Sequence, residues 1–388
     1  MAIVSIEDLR ERARARLPRS IFDFVDGGAY DEVTLRANRA DLEAIRFAPR
    51  ALVDVSKRDL SVELLGRRQA MPLVLAPSGN AGMLARRGEV QAVRAADAAG
   101  VPMCLSTMSV CPLEDVQEAA GHPLWFQLYV LKDRGMTQHM VERAQAAGCA
   151  ALVFTVDLPV MGQRDRDVRN GFTVPPRITL ANALDMLRRA PWIADVLLGP
   201  KVTYGNLVRS RGQAAGQSGG HAGNGLVSLA QHVKNNTDDS LSWKDVEWAR
   251  RLWKGPMLLK GILSPEDAKL AASAGMDGVI VSNHGGRQLD HGPSTISVLP
   301  RVVDAVGDRM DVLFDGGIRR GQDVVKAMAL GARACLVGRA FLYGLAAGGE
   351  AGVTQALDIL RREMDVTLAL LGKRSFKELG ADSLTLPH

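Results

Sequence analysis

The sequence predicts an α/β chain folded as a TIM (β/α)8 barrel. Eight short apolar segments recur along the chain, and each is followed by a stretch with helical periodicity. The segments hardly alternate between polar and apolar residues, which is typical of parallel strands buried on both faces. Eight strand–helix units are the number that closes a TIM barrel.

The predicted strands are residues 72–77, 101–106, 124–129, 151–157, 256–261, 277–282, 311–316 and 333–338. Intervening segments such as 89–99 and 265–274 are predicted to be amphipathic helices. The alternative is a doubly wound open sheet, which needs fewer strands and normally has a Gly-rich turn after the first strand. Here the first strand is followed by Ser78 and Gly79, without a G-x-G-x-x-G motif, so the barrel is favoured.

We expect residues 1–388 to form a single domain with two additions to the barrel. Residues 1–70 form a helical lead-in over one end, with one helix ending near Arg16 and another at about 22–26. Residues 162–242 are an insertion after the fourth strand, too long for an ordinary βα loop and rich in Gly, Asn and Arg.

Part of this insertion, residues 180–198, is predicted to be helical and combines apolar residues with arginines. That combination suits contact with an anionic membrane through residues 177–225, and it suits packing against the barrel equally well. The Gly-rich segment 213–225 is expected to be mobile.

Composition and charge exclude several classes of protein. The formal net charge is +5, from 48 basic and 43 acidic residues, which is too small and scattered an excess to indicate nucleic-acid binding. No apolar run reaches the length of a membrane span, and the amino terminus lacks the apolar core of a signal peptide. We therefore expect a cytoplasmic protein whose membrane contact, at the inner face of the cell membrane, is peripheral.

The four cysteines form no CxxC pair, and no histidine lies at zinc-finger spacing from them. Most of them lie in or beside apolar runs, so they are predicted to be buried free thiols in a reducing compartment. No metal site is predicted.

Polar side chains follow six of the predicted strands. Because TIM-barrel active sites form at the carboxyl ends of the strands, we expect these side chains to converge on one mouth. They are Gln127 and Tyr129; Thr155 and Asp157, with Arg164 following; Lys260; the segment 282–287; Asp315, Gly316, Gly317 and Arg319; and Gly338 and Arg339.

The turns after the seventh and eighth strands predict a phosphate site. Both combine glycines, whose backbone N–H groups an anion can approach closely, with an arginine, Arg319 in one turn and Arg339 in the other. A single arginine there would be explained equally well by a surface ion pair. Two such turns on adjacent strands favour the phosphate.

His284, Asp157 and Arg287 form the predicted catalytic set. A base, an acidic partner and an arginine that binds a carboxylate are what removal of a proton from a hydroxy acid needs. Lys260 is a cation inside the barrel mouth, and a buried lysine is costly unless it is paired. Two interpretations of it stay open, an anionic partner such as a reduced flavin, or a Schiff base with a carbonyl substrate.

Residues 282–290 read SNHGGRQLD, which resembles the signature of the FMN-dependent 2-hydroxy acid oxidases and dehydrogenases. The resemblance spans almost the whole chain. It includes WFQLY at 125–129, FTVDLP at 154–159, LKG at 259–261, DGGIRRG at 315–321, Gly338-Arg339 and Gly27-Gly28-Ala29. Through residues 106–114 and 242–248 the chain most resembles the bacterial quinone-linked L-lactate dehydrogenases, with mandelate dehydrogenase and glycolate oxidase more distant.

The resemblance implies FMN as cofactor, a small L-2-hydroxy acid as substrate and a quinone or similar electron acceptor. It implies that His284 is the active-site base, that Asp157 stabilises its imidazolium, and that Tyr129 binds the substrate near its reacting carbon. Arg287 and Arg164 would bind the substrate carboxylate, and Lys260 would stabilise the anionic reduced flavin. The remaining cofactor-binding residues would be Ser78, Gly79, Ser106, Gln127, Thr155, Asp315, Gly317, Arg319, Gly338 and Arg339. A homotetramer is expected.

Two positions distinguish this chain within the family it resembles. The family usually has a Y/F-x-Y pattern in the lead-in, whose second tyrosine helps to hold the carboxylate, but here the pattern ends in Phe24. We therefore hypothesise a bulkier, more apolar substrate than lactate. Gly79 lies where the oxidases tend to have alanine, which predicts slow reaction with O2 and leaves an O2-using oxidase as the alternative.

Two other classes of protein remain as alternatives. A non-redox FMN- or phosphate-binding barrel, such as an isomerase or a Schiff-base aldolase using Lys260, would explain the Gly338-Arg339 turn but would give His284, Arg287 and Asp157 no role. A membrane-recruited scaffold without turnover has only Phe24 in its favour.

Overall fold

The computed structural model describes residues 2–171, 180–199, 202–214 and 237–386. Eight parallel strands form one sheet, in the order β1-β8-β7-β6-β5-β4-β3-β2. A bridge between Leu75 and Met103 joins β1 to the segment before β2, and the Leu75 N–H donates to the Pro102 carbonyl at 3.0 Å. The predicted TIM barrel is confirmed. The strands are β1 (Leu73–Leu75), β2 (Cys104–Ser106), β3 (Trp125–Leu128), β4 (Ala151–Thr155), β5 (Met257–Ile262), β6 (Gly278–Val281), β7 (Asp311–Asp315) and β8 (Ala334–Val337).

Each strand buries both of its faces, which explains why the apolar segments do not alternate. Val74, Val153 and Leu313 belong to a cluster inside the barrel, whereas their neighbours Leu73, Leu152 and Val312 belong to the larger core between strands and helices. Successive side chains of a strand point to opposite faces, so both clusters need apolar residues from every strand.

Helices cover the outside of the barrel. They are α4 (Gly88–Ala99), α5 (Leu113–Ala119), α6 (Arg134–Ala146), α11 (Trp243–Leu252), α12 (Pro265–Ser273), α13 (Thr295–Val306), α14 (Gly321–Ala329) and α15 (Arg339–Leu370), the last interrupted at Gly348 and Gly349. The lead-in contains α1 (Ile6–Arg16), α2 (Arg19–Asp26) and α3 (Val33–Ala44), and the insertion contains α7 (Asp165–Arg169), α8 (Leu180–Leu187), α9 (Ala190–Leu197) and α10 (Gly205–Ala214).

The lead-in reaches both ends of the barrel: α2 and α3 lie at the carboxyl end, whereas residues 64–65 lie at the amino end, where the Leu65 N–H donates to Asp311 Oδ2 at 3.3 Å. Its first two helices agree with the prediction, whereas α3 was not predicted. Buried polar contacts dock α3 on the loop after β6. The side-chain amides of Asn38 and Asn283 exchange hydrogen bonds at 2.8 and 2.9 Å, and the Thr34 N–H donates to Asp290 at 2.8 Å. This docking brings the segment between α2 and α3 over the barrel mouth.

The described part of the insertion packs against the barrel and also exposes apolar side chains. Residues 180–198 are two helices, α8 and α9, where one was predicted. Trp192 is buried, and its indole N–H donates to the Met83 carbonyl at 2.9 Å. Leu187 and Leu198 are 69% and 72% exposed, so packing on the barrel does not cover the whole of this surface. The predicted mobile segment 213–225 lies almost entirely outside the described residues.

All four cysteines are free and buried, as predicted. Within the described ranges, no helix is both long and apolar enough to cross a membrane. The same ranges contain no group of three His, Cys, Asp or Glu side chains placed to hold a metal ion.

Candidate active site

Lys260, at the end of β5, lies at the centre of the barrel mouth. Its ammonium donates to Ser282 Oγ at 3.0 Å and lies 3.4 Å from Asp315 Oδ2 and 4.0 Å from Asp157 Oδ2. Burial by itself would lower the pKa of Lys260, but the charges of Asp157 and Asp315 raise it above its ordinary value. Lys260 is therefore a buried, protonated cation.

His284 pairs with Asp157 across the mouth, with Nδ1 2.9 Å from Oδ1. Burial would raise the pKa of Asp157, but the charges of His284 and Lys260 lower it below its ordinary value, so this carboxylate is ionised. An ionised carboxylate only accepts hydrogen bonds, so Nδ1 carries the hydrogen, and whenever the ring is neutral Nε2 is its basic nitrogen. This is the tautomer that a general base requires.

Local backbone geometry makes this pairing possible. A β-bulge interrupts the register of β5 between Lys260 and Ile262, and Gly261 has φ +108°. A Cβ at Gly261 would lie 2.6 Å from the Asp157 Cβ, so any side chain there would displace the carboxylate. His284 itself has φ +56°, which is uncommon for a residue other than glycine, and its N–H donates to Ser282 Oγ at 3.1 Å.

Two arginines flank Phe24. The guanidinium carbons of Arg164 and Arg287 lie 5.4 and 5.2 Å from the centroid of its ring. Arg164 also pairs with Asp167 at 2.6 Å, whereas Arg287 makes no ion pair with a carboxylate in the part of the chain that the structure describes. Instead, Arg287 donates to the carbonyls of Phe24 and Gly27, at 2.7 and 3.0 Å.

The surroundings of Arg287 have an excess of positive charge. Burial, followed by the charges of Arg164 and Arg339, lowers the pKa of Arg287 well below its ordinary value. Burial, followed by the charge of Asp157, raises the pKa of Tyr129, so its hydroxyl stays protonated and can donate. Arg164, Arg287 and Tyr129 together can bind an anion such as a carboxylate.

In the region where a phosphate site is predicted, the two glycines that follow β7 have positive φ angles. Gly316 and Gly317 have φ +124° and +83°, and a Cβ at Gly317 would lie 2.3 Å from the Asn38 carbonyl oxygen. Arg339, next to Gly338 at the start of α15, donates to the carbonyls of Val25, Gly27 and Gly285 at 2.7–2.9 Å. The guanidinium carbon of Arg319 lies 5.3 Å from the centroid of the Tyr343 ring.

The residues predicted to line the flavin edge lie at the ends of β1 to β4. Ser106 Oγ donates to Gln127 Oε1 at 3.1 Å, and Ser78 Oγ donates to the Ala76 carbonyl at 3.2 Å. Gln127 Nε2 and Thr155 Oγ1 are buried and have no hydrogen-bond partner among the described residues. Unpaired buried polar atoms are costly, so these two atoms indicate a polar ligand. Gly79 lies in the loop that joins Ser78 to Asn80, whose N–H donates to the Met108 carbonyl at 3.0 Å.

Sequence reasoning assigned no individual role to four residues that shape the mouth. Ser282 Oγ links Lys260, Asp315 and the His284 N–H, and Gln288 donates to the carbonyls of Asp157 and Val160, both at 3.0 Å. Ser282 and Gln288 belong to the nine-residue signature, so a signal for them existed.

The other two are buried tethers. Glu89 accepts the N–H groups of Gly82 and Val110 at 3.1 and 2.8 Å, and Asn206 donates to the Ser106 carbonyl at 3.2 Å. No motif marked either of them, and their partners lie between 7 and 100 residues away in the sequence.

A TIM barrel that combines a His–Asp pair, a buried lysine and an arginine pair at its mouth defines an enzyme that binds an anionic substrate beside a phosphorylated cofactor. Residues 13–386 match the model of the FMN-dependent dehydrogenases, and the chain belongs to this family. The family predicted from the signature, and FMN as its cofactor, are confirmed.

Curated relatives and solved structures agree with this assignment. The chain is 50% identical to the L-lactate dehydrogenase of Caulobacter vibrioides over 96% of this chain and 95% of that protein. It is also 50% identical to the L-lactate dehydrogenase of Azorhizobium caulinodans, over 99% of both chains. The crystal structure of the monotopic membrane protein (S)-mandelate dehydrogenase superposes with a TM-score of 0.93, at 40% identity over 100% of both chains. Mandelate oxidase superposes with a TM-score of 0.82, at 38% identity over 99% of this chain and 98% of that one.

The residues at the mouth fit FMN. The unpaired Gln127 Nε2 and Thr155 Oγ1 match the polar edge of a flavin ring, which carries both acceptors and donors. The buried ammonium of Lys260 lies on the next strand. At β7, the two positive-φ glycines let backbone approach a phosphate closely.

Proposed function

We propose that this enzyme uses FMN to oxidise an L-2-hydroxy acid to the 2-keto acid and passes the electrons to a quinone or similar acceptor. The observation that carries the proposal is the His284–Asp157 pair at 2.9 Å, at a mouth where Arg164 and Arg287 flank Phe24. The arginines supply the positive charge that binds the carboxylate of a 2-hydroxy acid. The imidazole supplies the base that accepts a proton when the acid is oxidised. The L-lactate dehydrogenases and mandelate dehydrogenase similar to this chain support the substrate class.

Each of the residues at the mouth then has a role in the reaction. Arg287 and Arg164 bind the carboxylate, and Tyr129 donates a hydrogen bond to the substrate near its reacting carbon. His284 Nε2 accepts a proton from the substrate while Asp157 stabilises the imidazolium that forms. Bound FMN supplies the acceptor for the two electrons that leave the substrate.

The cofactor would be held by groups from most of the strands. Ser78, Gly79, Ser106, Gln127, Thr155 and Lys260 would contact the ring, and Asp315, Gly317, Arg319, Gly338 and Arg339 would contact the ribityl phosphate. The ion pairs of Lys260 oppose the alternative of a Schiff-base aldolase. A lysine must be neutral to attack a carbonyl, and here Asp157 and Asp315 raise the pKa of Lys260.

Phe24 predicts the preference for substrate. Because its ring offers no hydroxyl to a carboxylate, we expect anaerobic flavin reduction to be more efficient with a bulky apolar 2-hydroxy acid than with lactate. Phe24→Tyr should restore one hydrogen bond to a charged group, which is worth about 1.5–3 kcal/mol, and should raise kcat/KM for lactate about tenfold or more. The measurement is stopped-flow reduction across a panel of L- and D-hydroxy acids.

Phe22→Tyr is the matched control. Phe22 is on the same helix, and its ring packs against Tyr343 and under Arg10 instead of Arg164 and Arg287. The Phe22→Tyr substitution should leave the preference of the enzyme among hydroxy acids unchanged. The hypothesis about Phe24 is wrong if Phe24→Tyr does not improve lactate turnover, and the proposed function is wrong if no hydroxy acid reduces the flavin.

Gly79 predicts the choice of electron acceptor. Because the related oxidases tend to have alanine at this position, we expect turnover in air to produce peroxide slowly and turnover with a soluble quinone to be much faster. Oxygen consumption and quinone reduction, measured with the same hydroxy acid, test this. Peroxide production as fast as quinone reduction would instead make the enzyme an oxidase.

A quinone acceptor is consistent with peripheral contact between the insertion and a membrane. Three observations support this contact: the exposed Leu184, Leu187 and Leu198, the neighbouring Arg188 and Arg189, and the similarity to a monotopic mandelate dehydrogenase. Sedimentation with anionic vesicles tests it, and a protein that stays in the supernatant would count against it. The cytoplasmic location remains a prediction from the sequence, and the homotetramer remains a prediction from the resemblance.

A further inference from the structure

Three backbone carbonyl groups accept four hydrogen bonds from two of the arginines at the barrel mouth. The segment 24–27, which we call the strap, offers its carbonyls to both. Arg287 donates to Phe24 and Gly27, and Arg339 donates to Val25 and Gly27 at 2.9 and 2.7 Å. Neither arginine pairs with a carboxylate within the described ranges. The strap therefore determines where the Arg287 guanidinium lies, and it shares that role for Arg339 with the Gly285 carbonyl, which accepts a hydrogen bond at 2.9 Å.

Asp26 anchors the strap from its outer side. Its buried carboxylate accepts four hydrogen bonds: two from Arg10 at 2.6 and 3.0 Å, one from Arg166 at 3.1 Å and one from the Tyr343 hydroxyl at 2.7 Å. The donors come from α1, α7 and α15. The Asp26 carboxylate therefore links these three helices to the strap.

Arg166 connects the same anchor to the loop that carries Arg164. Arg166 lies two residues beyond Arg164. Side chains at that spacing on a helix do not face each other, so the two arginines have different surroundings. Its guanidinium also lies 2.5 Å from Glu32 Oε2, and Glu32 Oε1 accepts the N–H of Gly28 at 2.9 Å. We call Arg10, Asp26, Glu32 and Arg166 the ionic frame.

We propose that the ionic frame positions the two arginines that bind the substrate carboxylate, and that Arg166 is its main positioning residue. The inference rests on the proposed function, in which Arg164 and Arg287 bind the carboxylate. Arg166 fixes the chain two residues after Arg164 against the strap whose carbonyls hold Arg287. It thereby sets the spacing of the two guanidinium groups on either side of Phe24, without contacting the reacting atoms.

The test measures anion binding separately from turnover. Oxalate, a dicarboxylate that cannot be oxidised in this way, is titrated into the FMN-loaded enzyme, and the flavin absorbance reports its Kd. Arg166→Met should raise the Kd for oxalate and the KM for the hydroxy acid about 10- to 100-fold, since small misplacements at a site have effects of that size. FMN should remain stoichiometrically bound. Arg166→Lys, which keeps the charge but not the forked geometry, should give an intermediate Kd.

Arg58→Met is the matched control, because it removes a comparable half-buried ion pair with Asp365, at 2.7 and 2.8 Å, away from the strap. It should lower thermal stability but leave the oxalate Kd unchanged. If Arg166→Met does not fold, Glu32→Gln is the milder variant and should raise the Kd in the same direction.

The possible outcomes are distinguishable. Equal Kd values in wild type, Arg166→Met and Glu32→Gln, or an equal rise in the Arg58→Met control, would overturn the inference. A wild type that binds oxalate but is reduced by no hydroxy acid would overturn the proposed function, and the variant comparison would still decide the role of the frame. In a wild type that does not bind oxalate, equal KM values for the hydroxy acid in wild type and Arg166→Met would overturn the inference.

Discussion

His284→Gln should lower the rate of flavin reduction by 2-hydroxy acids about 10²- to 10⁴-fold, the range expected when a general base is lost. Glutamine can still accept a hydrogen bond but cannot take up a proton. Asp157 is not a good substitute, because the charge of Lys260, which the substitution leaves in place, still lowers its pKa. Single-turnover reduction, measured anaerobically, isolates this step from reoxidation.

His122→Gln is the control for this experiment. His122 is exposed and pairs with Asp97 at 3.0 Å, so it has the same kind of partner on the outer surface. It should leave the rate of reduction unchanged. A His284→Gln enzyme that binds FMN and is reduced at nearly the wild-type rate would show that the base is another group.

Lys260→Met should be the most destabilising single change at the mouth. Removing one partner from a buried ion pair typically costs about 3–5 kcal/mol, because the opposite charge is left without compensation. Here two carboxylates, Asp157 and Asp315, would lose their shared cation. Chemical denaturation of the FMN-free variant measures the loss in the free energy of unfolding, and FMN titration measures the expected loss of affinity.

The stability difference between this variant and the wild type should shrink in acid. A carboxylate whose folded-state pKa is lowered stabilises the protein above its unfolded-state pKa, and this contribution is lost as the pH falls through the folded-state pKa. Lys260 is one of the charges that lower the pKa of Asp157, so Lys260→Met should lack this contribution, and its free energy of unfolding should fall less than that of the wild type as the pH is lowered.

Lys254→Met is the control for both measurements. Lys254 is exposed and donates to the Arg251 carbonyl at 3.0 Å, so replacing it should have little effect on stability or on acid unfolding. If Lys260→Met were as stable as this control, the two carboxylates would have to be neutral or paired elsewhere.

The barrel and most of the residues at its mouth could be predicted from the sequence alone. Strands buried on both faces are apolar at most positions, so all eight were visible as short, largely apolar runs. The ends of parallel strands in a barrel meet at one mouth, so His284, Asp157 and Lys260 could be placed together without coordinates. The signature at 282–290 then indicated the family, and Phe24 stood out as a departure from it.

How these residues are held can be seen only in the folded protein. Helix α3 is docked by Asn38 and Thr34 on a loop about 250 residues away in sequence. Two of its three buried residues are polar, which weakens the apolar periodicity that predicts a helix. Asp26, Glu32 and Arg166 look like surface charges in the sequence. A hydrogen bond between distant segments leaves no local pattern, because its geometry depends on how the segments pack and not on the residues beside it. The sequence therefore determined which groups meet at the mouth, and packing decided their spacing.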